Sequence, residues 1–236
     1  MGGYKRIPSL IMAGTVHRDP EGYPRLLQLL EREQPALVTV EVSPYGRIFR
    51  TQQAAAWRTT LRENLWRIKK EEGRPMREII SKSAILEIFF LLKEPYEWQA
   101  AKVYADRYGI FLRDIDLSCY SEDKLSHLSE LLSVNNLRTL LHIPFPDLSW
   151  QVESEYSRAR FRFLYPSSAW LPTREVKARE AHMAEKIRSF VQRAKGKKML
   201  HVGGWEHLIE FSQGKSLFEL LQDLRPQRIL LSSMAN

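Results

Sequence analysis

Short apolar runs alternate with longer amphipathic stretches along this chain, and that alternation predicts an α/β fold. Ser9–Thr15 is almost wholly apolar, runs into Gly14, and reads as a buried strand. Glu21–Glu33 carries Leu26, Leu27, Leu29 and Leu30 at helical spacing, with Pro24 tolerable in a first turn. Ala36–Val42 is a second strand, rich in β-branched residues and stopped by Pro44. Short loops join this strand, helix and strand, so the two strands are expected to be parallel and adjacent. Three helices should follow: Thr51–Glu72, closed by Gly73 and Pro75; Met76–Lys93; and Pro95–Tyr108, closed by Gly109. Ile110–Ile115 returns to strand. Ser121–Leu132, Asn135–His142 and Trp150–Leu164 read as helices, with a break at Pro144-Phe145-Pro146. Thr173 caps a helix running to about Arg193 and ended by Gly196. Strand Lys198–Val202, a short helix from Leu208, another over Ser216–Leu224 and strand Arg228–Leu231 complete the chain. The expectation is one α/β domain over residues 1–236, with a mainly parallel central sheet flanked by helices. Residues 46–108 would form a helical insertion covering the strand carboxyl ends.

Polar residues at the strand ends change this picture from architecture to chemistry. A Gly-x-x-His spacing occurs twice, as Gly14-Thr15-Val16-His17 and as Gly204-Trp205-Glu206-His207, each directly after an apolar run. Glycine would let the backbone turn sharply as it leaves the strand, placing each histidine at a carboxyl edge, where ligands of open α/β sheets collect. Glu41 lies between Val40 and Val42 near the end of the second strand, and a buried carboxylate is costly unless paired, protonated or bound to a metal. Two imidazoles and a carboxylate can hold a divalent ion with an open position for water. They can equally form a metal-free unit in which the carboxylate orients a histidine that deprotonates water. Asp114 and Asp116 end the third strand and can face the same edge, with Arg113 on the other side. Tyr45, Tyr120 and Trp205 are candidate pocket walls, while His127, His142, His182 and His201 read as structural.

Composition narrows the setting. The chain has 236 residues, enough for one large domain with a full core, and 44% hydrophobic with 27% charged residues is ordinary for a globular protein. The longest apolar run, 85–92, is interrupted by Glu87 and falls far short of the ~20 residues that span a membrane. The opening Met1–Arg6 has no signal-peptide core, and the single cysteine, Cys119, is expected to be a buried, inert thiol; both fit a cytoplasmic location. The net charge of +8 gathers in two helical stretches, but acidic residues such as Glu63, Glu71, Glu175 and Glu180 interleave with it. Interleaving marks a solvated face rather than a phosphate-binding stripe and argues against a nucleic-acid partner.

The first motif and Pro35–Val42 together resemble the opening of the TraB/PrgY and TIKI proteins, in which a Gly-x-x-His precedes a strand ending in glutamate. Arg179-Glu180-Ala181-His182-Met183-Ala184 followed by Met199–His207 resembles their second half, where an Arg-Glu pair on a helix precedes a second Gly-x-x-His. Erythromycin esterases and ChaN-like haem-uptake lipoproteins share the plan. The resemblance covers both ends of the chain and little of the middle. It implies His17, Glu41 and His207 as active-site residues, Arg179 and Glu180 as the helix pair, and Arg113-Asp114 at a basic position before the second half. The activities implied diverge: metal-dependent proteolysis, lactone opening, peptide-pheromone shutdown and haem binding. The sequence departs from the pattern in lacking a membrane anchor or lipoprotein signal, and in placing Trp205-Glu206 where small residues are usual. That pair implies a narrower pocket or an extra carboxylate ligand, with Trp205 and Glu206 expected on the substrate-binding side.

The resulting expectation is a hydrolase acting on a small-molecule or peptide substrate, with His17, Glu41 and His207 activating water against an ester or amide carbonyl. In one version they hold a divalent ion (Mn, Co or Zn); in the other, Arg179 steadies the oxyanion without a metal. The alternative is a non-catalytic binder of haem or a regulatory peptide using the same pocket.

Overall fold

Five apolar runs form one sheet in which every strand is parallel to its neighbours, in the order β3-β2-β4-β1-β5. The computed structural model describes residues 10–144, 146–165, 172–194, 196–211 and 215–234; the opening hexapeptide and Phe145 lie outside them. In chain order the elements are β1 (Leu10–Thr15), α1 (Gly22–Glu33), β2 (Leu37–Val40), α2 (Pro44–Gln52), α3 (Ala54–Glu72), α4 (Met76–Ser81), α5 (Ser83–Leu91), α6 (Tyr96–Tyr108) and β3 (Phe111–Asp114). They continue with α7 (Ser118–Ser126), α8 (Leu128–Leu131), α9 (Val134–His142), α10 (Leu148–Leu164), α11 (Arg174–Arg193), β4 (Met199–Gly204), α12 (Leu217–Leu220) and β5 (Gln227–Leu230).

Alternation along the strands divides the side chains between two layers. On one face Ile11, Ala13, Val38, Val40, Leu200 and Val202 pack against Leu26, Leu29 and Leu30 of α1 and against Trp98, Ala101 and Tyr104 of α6. On the other, Leu10, Met12 and Met199 pack against Met183, Ala184 and Ile187 of α11 and against Leu217, Phe218 and Leu221.

The expected adjacency of the first two strands is corrected: β4 lies between them, pairing with β1 and β2 at once. Burial accounts for this. All six residues of β4 are buried, whereas β3 and β5 carry exposed positions and form the edges. A short run apolar on both faces belongs in the middle of a parallel sheet, however far away it lies in sequence.

The chain divides into two compact units. The sheet unit comprises the described residues within 1–42, 96–117 and 155–236; those within 43–95 and 118–154 form a helical unit with its own core, including Phe49, Leu61, Leu65, Ile85, Leu128 and Leu137. Of the segment expected as an insertion over 46–108, α6 belongs to the sheet unit, because Trp98, Ala101 and Tyr104 bury against the strands. Pro44 starts a helix rather than only ending a strand: it occupies the first turn of α2, and Ser43 Oγ accepts from Gly46 N. The helix expected over Thr51–Glu72 is divided at Gln53, and that over Met76–Lys93 at Lys82, whose backbone is extended.

Candidate active site

Neither motif glycine makes the turn expected of it. Gly14 and Gly204 are the fifth and sixth residues of their strands, and the positive-φ glycines among the described residues are Gly73, Gly109 and Gly196. Space is the reason for both. A Cβ at Gly14 would stand 3.1 Å from Trp205 Cα, and one at Gly204 would stand 2.9 Å from His17 Nε2. Each motif thus lacks a side chain where a residue of the other approaches.

The register explains how the two histidines differ. Gly14 pairs with Gly203 and Thr15 with Gly204, so the motifs lie one residue out of step on neighbouring parallel strands. A one-residue offset moves a side chain to the opposite face of a sheet. His17 therefore meets α6, where Glu97 Oε1 lies 2.9 Å from its Nδ1. Thr15 Oγ1, on the same face, is 3.0 Å from that oxygen. His207, in the 3₁₀ turn Trp205–Leu208, meets α11, where Glu180 Oε1 lies 2.8 Å from its Nδ1. Each imidazole is thus oriented by a buried carboxylate from a different helical layer. The turn ends at Leu208, where the sequence pattern had a helix begin.

Glu41 joins the two halves. It follows β2, and its backbone N–H still donates to Val202 O at 2.8 Å. Its Oε1 accepts from Arg179 Nη2 at 2.6 Å and faces His207 Nε2 at 2.8 Å; its Oε2 accepts from Gly204 N–H at 2.7 Å. Arg179 is held in turn by Asp116, which accepts from Nε at 2.9 Å and from Nη2 at 2.8 Å. Burial opposes charge on Glu41, but His207, His17 and Arg179 outweigh it and hold the carboxyl well below its usual range. Burial likewise opposes charge on His207, and Glu41 and Glu180 raise it well above the ordinary imidazole value. Glu180 is pushed up by its own burial, partly offset by His207. The raised pKa favours the imidazolium form of His207, in which Nδ1–H faces Glu180 and Nε2–H faces Glu41.

His17 is the accessible member, with 55% of its side chain exposed. Desolvation works against its charge, but the hydrogen bond and charge of Glu97, with Glu41 further off, push its pKa up to about 9. Its Nε2 approaches the Cβ position of Gly204, 3.5 Å from which lies Glu41 Oε2.

His17, Glu41, Arg179, Gly204 and His207 line a pocket of about 350 Å³ in the sheet unit, together with Thr15, Val16, Arg18, Glu155, Trp205 and Glu206. Trp205 is buried and donates Nε1–H to Glu155 Oε2 at 3.1 Å, so it forms a fixed wall; Glu206 is exposed at the same pocket. Of the sequence-expected residues, His17, Glu41, His207, Arg179, Trp205 and Glu206 line the pocket, and Glu180 stands behind His207. Arg113 and Asp114 do not line it. Arg113 is exposed on edge strand β3 beside Phe111, and the residue brought to Arg179 is Asp116. Tyr45 packs in the helical unit's core, and Tyr120 likewise is not among the lining residues. Cys119 is exposed, not buried.

Sequence reasoning missed Glu97. The signal was present: Glu97, Ala101 and Tyr104 share one buried stripe of α6, and a carboxylate on such a stripe requires a partner.

The donor set does not fit a metal ion. Glu41 and His207 are spent on each other, and the guanidinium on Glu41 Oε1 opposes a dication at that carboxylate. Among the described residues no group of three or more His, Cys, Asp or Glu is arranged to hold one. Of the described lining residues only Val16 and Trp205 are large and apolar, a poor match to a haem ring. No helix among the described residues is long and apolar enough to cross a membrane. No protein-family model, curated protein or solved structure matches the chain.

Proposed function

We propose that this protein is a hydrolase that activates water with the Glu97–His17 pair against an ester or amide carbonyl, using its own side chains rather than a fixed metal. The observation that carries this reading is the clamping of both imidazoles at Nδ1 by buried carboxylates, with a carboxylate–guanidinium pair between them. The hydrogen bond at Nδ1 fixes the tautomer and ring orientation and directs Nε2 to the chemistry. Neutral His17 takes a proton from water at Nε2 as the water oxygen bonds to the carbonyl carbon, and the carbonyl π pair moves to its oxygen. Glu97 stabilises the imidazolium formed. When the C–O or C–N bond breaks, the departing alkoxide or amine takes that proton back from Nε2. Arg179, locked by Asp116 and Glu41, supplies fixed positive charge at the pocket wall for the developing oxyanion. A water route fits the lining, whose one hydroxyl side chain, Thr15, is buried and engaged with Glu97 and Gly203 O.

The test is turnover of p-nitrophenyl acetate and an aminoacyl p-nitroanilide by wild type and His17→Ala, with folding checked by circular dichroism. The expected result is hydrolysis of at least one probe, reduced by about 10²- to 10⁴-fold in the variant. Equal turnover by folded His17→Ala would overturn the assignment.

A further inference from the structure

Directly below Glu41 lies a histidine that the mechanism does not use. His201 sits in the middle of β4 and is fully buried. Its Nδ1 is 3.0 Å from Thr39 Oγ1, the residue paired with it across β2 and β4, while its Nε2 has no hydrogen-bond partner among the described residues. Alternation puts Thr39, Glu41, His201 and Gly203 on one face. A Cβ at Gly203 would stand 3.0 Å from both Glu41 Oε2 and His201 Nε2, so glycine there leaves open the space into which both atoms point.

We propose that His201 is a positioning residue for Glu41: its Nε2–H, turned toward Oε2 across the space left at Gly203, holds the carboxylate in the orientation that meets Arg179, His207 and the Gly204 N–H. The inference rests on Glu41 being the centre of the site. Electrostatics selects the tautomer. With the proton on Nδ1, a ring lone pair would face an anionic carboxylate; with it on Nε2, Thr39 Oγ1–H donates to Nδ1 and the ring's positive end faces Glu41. Burial, against the weaker pull of Glu41, lowers the pKa of His201 to about 4, so the ring stays neutral and adds a dipole without a third positive charge. A buried donor without a close partner costs stability, and the bond to Thr39 accounts for Nδ1 but not for Nε2. Packing alone therefore does not account for a histidine here. The gain lies on Glu41, whose Oε2 is otherwise held by one backbone N–H.

The experiment compares wild type, His201→Leu, His201→Gln and Gly203→Ala by NMR titration of His207 and His17, by turnover of p-nitrophenyl acetate and by Tm. His201→Leu, which also strands the buried Thr39 hydroxyl, is expected to lower the Tm, to lower the titration midpoint of His207 by about one pH unit, and to cut turnover about tenfold. His201→Gln, which keeps an N–H donor, should recover most of both. Gly203→Ala, which puts a methyl between the two groups, should reproduce the loss and decides the matter if His201→Leu does not fold. Wild-type titration and turnover in folded His201→Leu, or in Gly203→Ala, would overturn the proposal. A wild type inert toward the ester would count against the hydrolase reading, while the His207 titration still decides the role of His201.

Discussion

His17 has one nitrogen in the pocket and the other on a buried carboxylate, and that second contact sets its chemistry. Glu97 raises the imidazole from 6.5 to about 9, so near neutrality His17 is mostly protonated, and its basic form grows as pH rises. Because the folded value lies above the unfolded one, the pair contributes stability that is fully present below about pH 6.5 and lost as pH passes 9. Glu97→Gln should bring the NMR titration midpoint of His17 back toward 6.5. It should also lower the Tm at pH 6 by more than at pH 10. A midpoint still near 9 in that variant would show that another group sets the shift.

At the scale of elements, the one-residue offset between β1 and β4 does the sorting. It sends His17 to the layer of α6 and His207 to that of α11, and each helix answers with one buried glutamate. The two glycines permit this in different ways, which makes them separable. Gly14→Ala pushes a methyl against the Trp205 backbone, which cannot move alone, and should cost about 1–3 kcal/mol in chemical denaturation. Gly204→Ala meets the ring of His17, a side chain that can swing away, so stability should change less while turnover falls about 100-fold through misplacement. Equal destabilisation with unchanged turnover would contradict this division of roles.

For the whole molecule, two opposing pH trends follow. Glu41, with its pKa depressed, contributes stability above about pH 4.5 that is lost on acidification; His17 and His207, with theirs raised, contribute stability below about 6.5 that is lost as pH climbs. His201, lowered to about 4, stays neutral in the fold and costs stability as pH falls below 6.5, so the Tm should peak at roughly pH 6. Hydrolysis should instead rise about tenfold per pH unit toward pH 9, following neutral His17. Stability and activity moving together over that range would exclude His17 as the base. Dialysis against EDTA should leave both Tm and turnover unchanged, because the carboxylate and imidazole at the centre are occupied by each other and by Arg179. Stoichiometric divalent metal whose removal lowers either quantity would restore the metal-bound version.

Local pattern was sufficient for the strands, for α1, α6 and α11, and for the placing of His17, Glu41 and His207 at strand ends, because amphipathic period and the cost of burying charge act within a few residues. The same local reading failed where a residue starts one element and stops another, as at Pro44, and where a helix breaks without glycine or proline, as at Gln53 and Lys82. Strand order, the one-residue register and the choice of Asp116 over Asp114 depend on contacts between segments far apart in the chain, as does the pairing of Glu97 with His17 across 80 positions. The sequence by itself determined which groups can carry charge or protons and that the strand ends would present them. Only tertiary packing decided which carboxylate faces which imidazole, because that choice follows from the order in which buried strands fill a sheet.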